Sequence, residues 1–233
     1  MIRFEILTIF PKIFDSFLKE SLIKKAIEKK LIKINVWNLR DFTKDKHKKV
    51  DDKVYGGGRG MVFKIEPIFE ALKYLVKFKI KKEGIFSREK KSKIILFSPR
   101  GKMFNEKMAF ELSRLKRIIL ICGRYEGVDE RVKKYLVDLT LSIGPYDLMG
   151  GEVPAMVLIE AVSRLIKGVV GKEDFLKTRA LKKTFLEYPQ YTKPSVFQPK
   201  KGIFWSVPKV LLSGHHQRIA DWRKKYQKKI GQN

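Results

Sequence analysis

Residues 117–151 read RIILICGRYEGVDERVKKYLVDLTLSIGPYDLMGG, and EVPAMVLIEAVSRLIK follows at 152–167. The apolar run Ile118 to Ile121 ends in Cys122 and Gly123. A run that short, closed by glycine, reads as a buried strand. A second apolar run, Leu136 to Ile143, ends in Gly144, and Pro145 to Gly151 then form a loop before a helix. Two buried strands therefore each end in a glycine-bearing loop with polar residues beside it. In open α/β sheets, ligands bind beyond the carboxyl ends of strands. Glycines there let backbone groups approach a flat ring closely. The spacing predicts a nucleotide-like pocket built largely from backbone, with Glu126 and Asp147 as acceptors for ligand hydroxyl or amino groups. The plainer reading is that the glycines only make turns and that Gly150–Gly151 only bends the chain into a helix.

Working outward, the helix predicted over Val153 to Ile166 is apolar almost all round, so it is expected to be buried on two sides. The second side is a candidate subunit contact. Glu160 and Arg164 stand four apart, which suits a surface ion pair; the functional reading of Arg164 is a cation at the pocket.

Toward the N-terminus, Arg3 to Phe10 and Ile32 to Trp37 read as strands, with helical spacing from Ile13 to Ala26 between them. That β-α-β order predicts a parallel pair. Asn38 to Met61 is polar, without an apolar period, and carries Gly56, Gly57, Gly58 and Gly60. It is no nucleotide-triphosphatase phosphate loop, since no Gly-Lys-Ser/Thr is present. A loop of this length in a compact domain is usually functional or disordered. Its Lys and Arg side chains suit phosphates, and Asp51, Asp52 and Tyr55 suit base edges or stacking. Glu66 to Val76 reads as a helix and Lys77 to Ser92 as a surface connection. Lys93 to Phe97 reads as a strand closed by a Ser98–Gly101 loop that lines the same pocket, and a helix is expected from Asn105 to Leu115.

The 233 residues include 52 Lys and Arg against 25 Asp and Glu, a net charge of +27. So large an imbalance implies an anionic partner, nucleic acid before an acidic membrane surface. At 44% hydrophobic residues the chain can bury a proper core. No apolar run is long enough to span a membrane. MIRFEILTIF, with Glu5 in its apolar part, is not a signal-peptide pattern. One cysteine excludes an internal disulfide framework and suits a reducing cytoplasm, and with three histidines it argues against a zinc site. Gly171 to Asn233 holds 15 Lys and Arg against 4 Asp and Glu. It reads as a small basic helical domain, closed by a helix that bears Ile219, Trp222 and Tyr226 and is capped by Ser213 or Gly214.

RDFTKDKH, VDDKVYGGGRGM, FSPRGK, ICGRYEGVDERV, SIGPYDLMGGEVPAM, AVSRLIKGV, YPQYTKP and VPKVLLSGHHQRIADWR occur in that order along nearly the whole chain. Together they resemble the bacterial tRNA (guanine-N1)-methyltransferases, the TrmD type of the SPOUT superfamily. The resemblance implies an α/β fold: a SPOUT-type parallel sheet with a trefoil knot between Ser98 and Leu165, plus a small basic helical C-terminal domain. It implies a methyltransferase domain over 1–167, a lid or linker over 168–184 and a tRNA-binding domain over 185–233. It also implies methyl transfer from S-adenosylmethionine to N1 of guanosine 37 in tRNA, a homodimer with its active site between subunits, and magnesium assistance without a dedicated ligand cluster.

Positions matching the family's donor-binding loops are Leu96, Ser98, Gly123, Glu126, Ile143, Gly144, Tyr146, Leu148, Gly150 and Gly151. Pro145 stands where the family usually carries an acid, and Asp147 is placed to compensate. Asp51, Tyr55, Gly58 and Arg59 match the loop that grips tRNA. Arg164 matches the arginine that stabilises charge growing on the base's O6. The family's general base is an Asp eight residues after the glycine matching Gly171; here that position is Arg179, which cannot serve as a base. Asp174 or Glu173, in the same lid, is then the expected carboxylate. Two alternatives are a catalytically weak tRNA-binding homologue and a SPOUT methyltransferase directed at ribosomal RNA.

Overall fold

The computed structural model describes residues 1–58, 60–76, 78–81, 84–87, 91–170 and 186–229. The chain divides into two compact units, Met1–Glu173 and Asp174–Asn233.

The first unit begins with β1 (Ile2–Thr8), a 3-10 turn opened by Pro11, α1 (Asp15–Lys19), α2 (Ser21–Glu28) and β2 (Ile32–Asn38). β1 and β2 pair in parallel, as the β-α-β reading requires. Another 3-10 turn, Leu39–Phe42, leads to the short antiparallel pair β3 (Asp51–Lys53) and β4 (Met61–Phe63), then α3 (Ile65–Leu75). β5 (Phe78–Lys81) and β6 (Gly84–Ser87) form a hairpin where the sequence predicted only a surface connection. β7 (Ser92–Met103), α4 (Glu106–Leu112), β8 (Arg117–Ile121), α5 (Glu130–Tyr135), β9 (Leu139–Ser142) and α6 (Glu152–Ser163) complete the unit. The central sheet has the order β2-β1-β8-β7-β9, all parallel.

Why the strands read as unbroken apolar runs is visible in the packing. Side chains alternate across a sheet, and here each face meets its own core. Phe4, Ile6, Ile95, Phe97, Ile118 and Leu120 enter one core, with α2, α4 and α6 supplying Ile23, Ala109 and Leu158. Leu7, Ile94, Leu96, Ile119 and Ile121 enter the other, against Ile68 and Leu72 of α3 and Val132 of α5. Glu5, Thr8 and Ser142 are buried polar exceptions in the sheet; the Glu5 carboxylate accepts hydrogen bonds from Asn35 Nδ2 (2.9 Å) and Trp37 Nε1 (2.7 Å).

β7 departs from expectation. The strand predicted to stop at Phe97 resumes after an excursion, so that Phe97 and Lys102 both lie opposite Leu141 of β9. Gly101 is the hinge of that excursion. A Cβ built there would lie 2.7 Å from the Leu141 Cα, closer than any side chain tolerates. α6 ends at Ser163, three residues short of its predicted end, and α5 falls where no helix was predicted.

In the second unit, β10 (Leu186–Glu187) pairs with β13 (Lys228–Lys229), and β11 (Val196–Lys200) with β12 (Ile203–Ser206), both antiparallel. α7 (Lys209–Leu212) and α8 (His216–Tyr226) follow β12. The predicted last helix forms, but His215, not Ser213 or Gly214, is its N-cap, accepting from the Arg218 N–H through Nδ1.

Candidate functional site

β7, β8 and β9 end side by side, and the loops beyond them enclose a cavity of about 250 Å³. Every residue predicted to hold the methyl donor lines it except Gly144 and Pro145: Leu96, Ser98, Gly123, Glu126, Ile143, Tyr146, Asp147, Leu148, Gly150 and Gly151. Gly144 instead lies under the Tyr146 ring, which fills the space a Cβ would need. Tyr146 donates its hydroxyl proton to the Ile143 carbonyl (3.3 Å).

The loops after β8 and β9 are joined to one another. The Gly151 N–H donates to the Gly123 carbonyl at 3.0 Å, and Arg124 and Gly150 form an isolated bridge. Gly151 runs so close to the end of β8 that a Cβ would meet the Cys122 Cα at 2.7 Å. Directly behind this junction sits Glu152, 1% exposed. It accepts from Thr8 Oγ1 (2.7 Å) and from Arg124 Nε (3.0 Å). One carboxylate thus links the end of β1, the loop after β8 and the first turn of α6. The Cys122 thiol, fully buried beside it, is pushed well above its ordinary value, by burial first and then by the Glu152 carboxylate.

Arg100 lines the cavity within the predicted Ser98–Gly101 loop, while sequence reasoning did not single out Arg124, Tyr125, Glu130, Lys133, Met149 and Pro154. Arg124 and Tyr125 stand directly after β8, but Glu130, Lys133 and Pro154 lie in the first turns of α5 and α6, which adjacency to a strand end does not mark. Tyr125 takes a left-handed backbone (φ 59°) and stacks edge-on to Phe63 at 5.8 Å. Backbone strain of that kind concentrates where a side chain must be aimed.

The β3–β4 hairpin abuts the same wall. Glu126 N–H donates to the Met61 carbonyl (3.1 Å), Phe63 N–H to the Gly127 carbonyl (3.0 Å), and Asp129 N–H to the Phe63 carbonyl (2.9 Å). Gly56, Gly57 and Gly60 have φ of 83°, 74° and 85°, a region that glycine enters without steric cost, whereas Gly58 does not take it. Tyr55 at the tip is 97% exposed, Asp51 is half-buried at the base, and Gly58 lies against Val54. Arg59, Glu173, Asp174 and Arg179 lie outside the described residues. Arg164 is the C-cap of α6 and does not line the cavity.

A second cavity, of about 340 Å³, opens in the Asp174–Asn233 unit between Tyr188, Tyr191, Lys193, Trp222 and Arg223. No described helix is long and apolar enough to cross a membrane. Among the described residues no group of three or more His, Cys, Asp and Glu could hold a metal ion.

A glycine-walled cavity beyond the carboxyl ends of a parallel sheet places the first unit among α/β ligand-binding folds. Comparison with known proteins narrows this. Residues 2–232 match the family model described as tRNA (Guanine-1)-methyltransferase TrmD. A tRNA (guanine-N(1)-)-methyltransferase of Dictyoglomus turgidum is 52% identical over 97% of this chain and 84% of its own length. One from Ruminiclostridium cellulolyticum is 46% identical over 95% and 89%. The crystal structure of the tRNA (m1G37) methyltransferase from Aquifex aeolicus superposes with a TM-score of 0.74 at 39% identity, covering 95% of this chain and 87% of that one. The chain belongs to the tRNA (guanine-1)-methyltransferase family and is an enzyme.

Methyltransferases of this family imply S-adenosylmethionine as donor, and the cavity fits one. Its lining combines Gly123, Gly150 and Gly151, which have no side chain to fill it, with buried apolar Leu96, Leu141 and Pro154 and exposed acidic Glu126 and Asp147.

Proposed function

We propose that this chain methylates N1 of guanosine 37 in tRNA. The observation that carries the proposal is the convergence of the predicted donor loops on one cavity in a chain matched by the family over its whole length. Bound S-adenosylmethionine would supply an electrophilic methyl group on a sulfonium. The donor-binding residues are those that line the cavity, with Gly144 and Pro145 shaping the loop behind Tyr146. The proposed trefoil knot lies within Ser98 to Leu165, where the loops after β8 and β9 are joined by the Gly151 N–H to Gly123 carbonyl hydrogen bond.

Guanine N1 bears a proton and is a poor nucleophile, so a base must take that proton as the methyl arrives. Asp174 is the proposed base, with Glu173 as the alternative; the proton passes from N1 to the carboxylate. Arg164 offsets the negative charge growing on O6. It lies ten residues along α6 from the cavity residue Pro154, roughly 15 Å at the helical rise. An arginine so far from its own cavity favours a site shared between two copies. Val153 (54% exposed) and Val157 (41%) on α6 leave an apolar stripe for that second copy. Residues 168–184 form the lid, and the basic segment from 185 onward, with Asp51, Tyr55, Gly58 and Arg59, holds the tRNA in the proposed division of labour. Magnesium assistance belongs to the same proposal.

The test is labelled-methyl transfer to transcripts with guanosine or adenosine at position 37. Transfer only to the guanosine transcript is expected. Donor and tRNA binding without transfer would leave a weak homologue. Asp174→Ala and Glu173→Ala assayed in parallel identify the base; full activity in both removes the lid carboxylates from the reaction.

A further inference from the structure

From Tyr188 to Ala220 there is no acidic residue. Within that stretch the β11–β12 ribbon turns at Lys201 and Gly202, the glycine at φ 84°. Directly opposed residues of an antiparallel pair share a face. Phe197 opposes Trp205, and their rings lie 5.9 Å apart at 43°. A two-stranded ribbon is marginal alone and ordinarily rests such a pair on a core. Here Phe197 is 51% exposed and Trp205 63%, while Phe204, on the other face, is 61% exposed. Among residues 188–227 none is buried, and Phe197, Phe204 and Trp205 all remain exposed.

We infer that the Phe197–Trp205 face of the ribbon is a stacking platform for unpaired nucleotides of the tRNA, with Lys193, Lys200, Lys201 and Lys209 holding the phosphates. This rests on the reading that tRNA is the substrate. Aromatic side chains on exposed strands stack splayed bases, because every base has a π-face, while nearby cations follow the backbone. The surrounding charge favours RNA over a protein partner. All four lysines are exposed and the acid-free stretch offers none of them a neighbouring counter-charge in sequence. The cores of protein interfaces are depleted in lysine, whereas polyanion surfaces call for it.

The experiment uses the full chain and an unmodified tRNA transcript with guanosine 37. Phe197→Ala with Trp205→Ala should weaken tRNA binding about ten- to hundredfold while leaving affinity for S-adenosylmethionine unchanged. Trp205→Phe, which keeps a ring, should recover most of the loss. A double variant that binds tRNA within twofold of wild type overturns the inference. So does a loss of tRNA binding that comes with a smaller particle by light scattering, which would make the ribbon a subunit contact. Ultraviolet cross-linking of the wild-type chain to tRNA removes any ambiguity from misfolding. Nucleotide adducts on the peptide spanning 196–206 are expected, and adducts confined to other peptides sink the idea. Methyl transfer by the wild type, measured in the same preparation, reports on the parent function separately.

Discussion

Glu152 does more at the residue scale than the sequence announced. Its carboxylate is buried, sits at the start of α6 where a helix favours negative charge, and holds both Thr8 and Arg124. Removing one partner of a buried pair leaves the other desolvated and unpaired. Glu152→Ala should therefore cost about 3 kcal/mol, the low end for a buried pair because the Arg124 side chain is 19% exposed. Thr8→Val, which deletes one neutral donor, should cost about 1 to 2 kcal/mol. Urea unfolding midpoints decide the matter, and an unchanged midpoint in Glu152→Ala means the carboxylate clamps nothing. Gly151→Ala is a steric case: its Cβ would press on Cys122 backbone, which cannot rotate away. A loss of about 1 to 3 kcal/mol is expected from the same unfolding curves. Cys122 itself should stay protonated and shielded. A thiol reagent at pH 8 should label it only as denaturant opens the fold, and immediate labelling of the native chain would contradict that burial.

At the scale of elements, the loop after β8 depends on α5 beginning where it does. Asp129 caps α5 by accepting from the Arg131 N–H, and its backbone N–H is held by Phe63. The hydrogen bond from the Arg131 side chain holds the Asp129 carboxyl below the usual carboxylate range. A carboxyl whose folded value is lowered stabilises above its unfolded value, about 3.9, and loses that contribution as pH falls through the folded one. Asp129→Ala should cost about 1 kcal/mol at pH 7 as a lost cap. The gap from wild type should narrow as stability curves are taken down from pH 5 toward 2; a gap that stays constant would mean the charge is irrelevant. α5 also marks a limit of sequence reading. Of ERVKKY only Val132 is buried, too little for an apolar period to register. β3 and β4 are three residues each, below the length at which alternation can be seen. β7 beyond Phe97 is polar, and its return to β9 depends on the missing side chain of Gly101, not on any pattern. By contrast β1, β7 up to Phe97 and β8 were legible because both faces of the sheet are buried. The loops that line the cavity were legible through their glycines and motifs. Arg124 and Glu152 were not, because an ion pair 28 residues apart in sequence leaves no local trace.

For the whole molecule, 52 basic residues against 25 acidic ones make a polyanion the expected partner. Residues 186–229 alone carry ten Lys and Arg against two Asp and Glu. The last turn of α8 presents Arg223, Lys224 and Lys225 together. Phosphate contacts release condensed counterions, so binding weakens linearly in log K against log salt, with a slope set by the number of phosphates neutralised. Lys224→Gln with Lys225→Gln should weaken tRNA binding at low salt and reduce the slope by about one to two. The variant and wild-type lines should then converge as salt rises. Affinity for S-adenosylmethionine should not move, since these lysines are not among the cavity-lining residues. The charge is local in effect only if the slope changes. Parallel lines for variant and wild type would show that these lysines touch no phosphate, and that the basic excess of α8 acts, at most, through the long-range field.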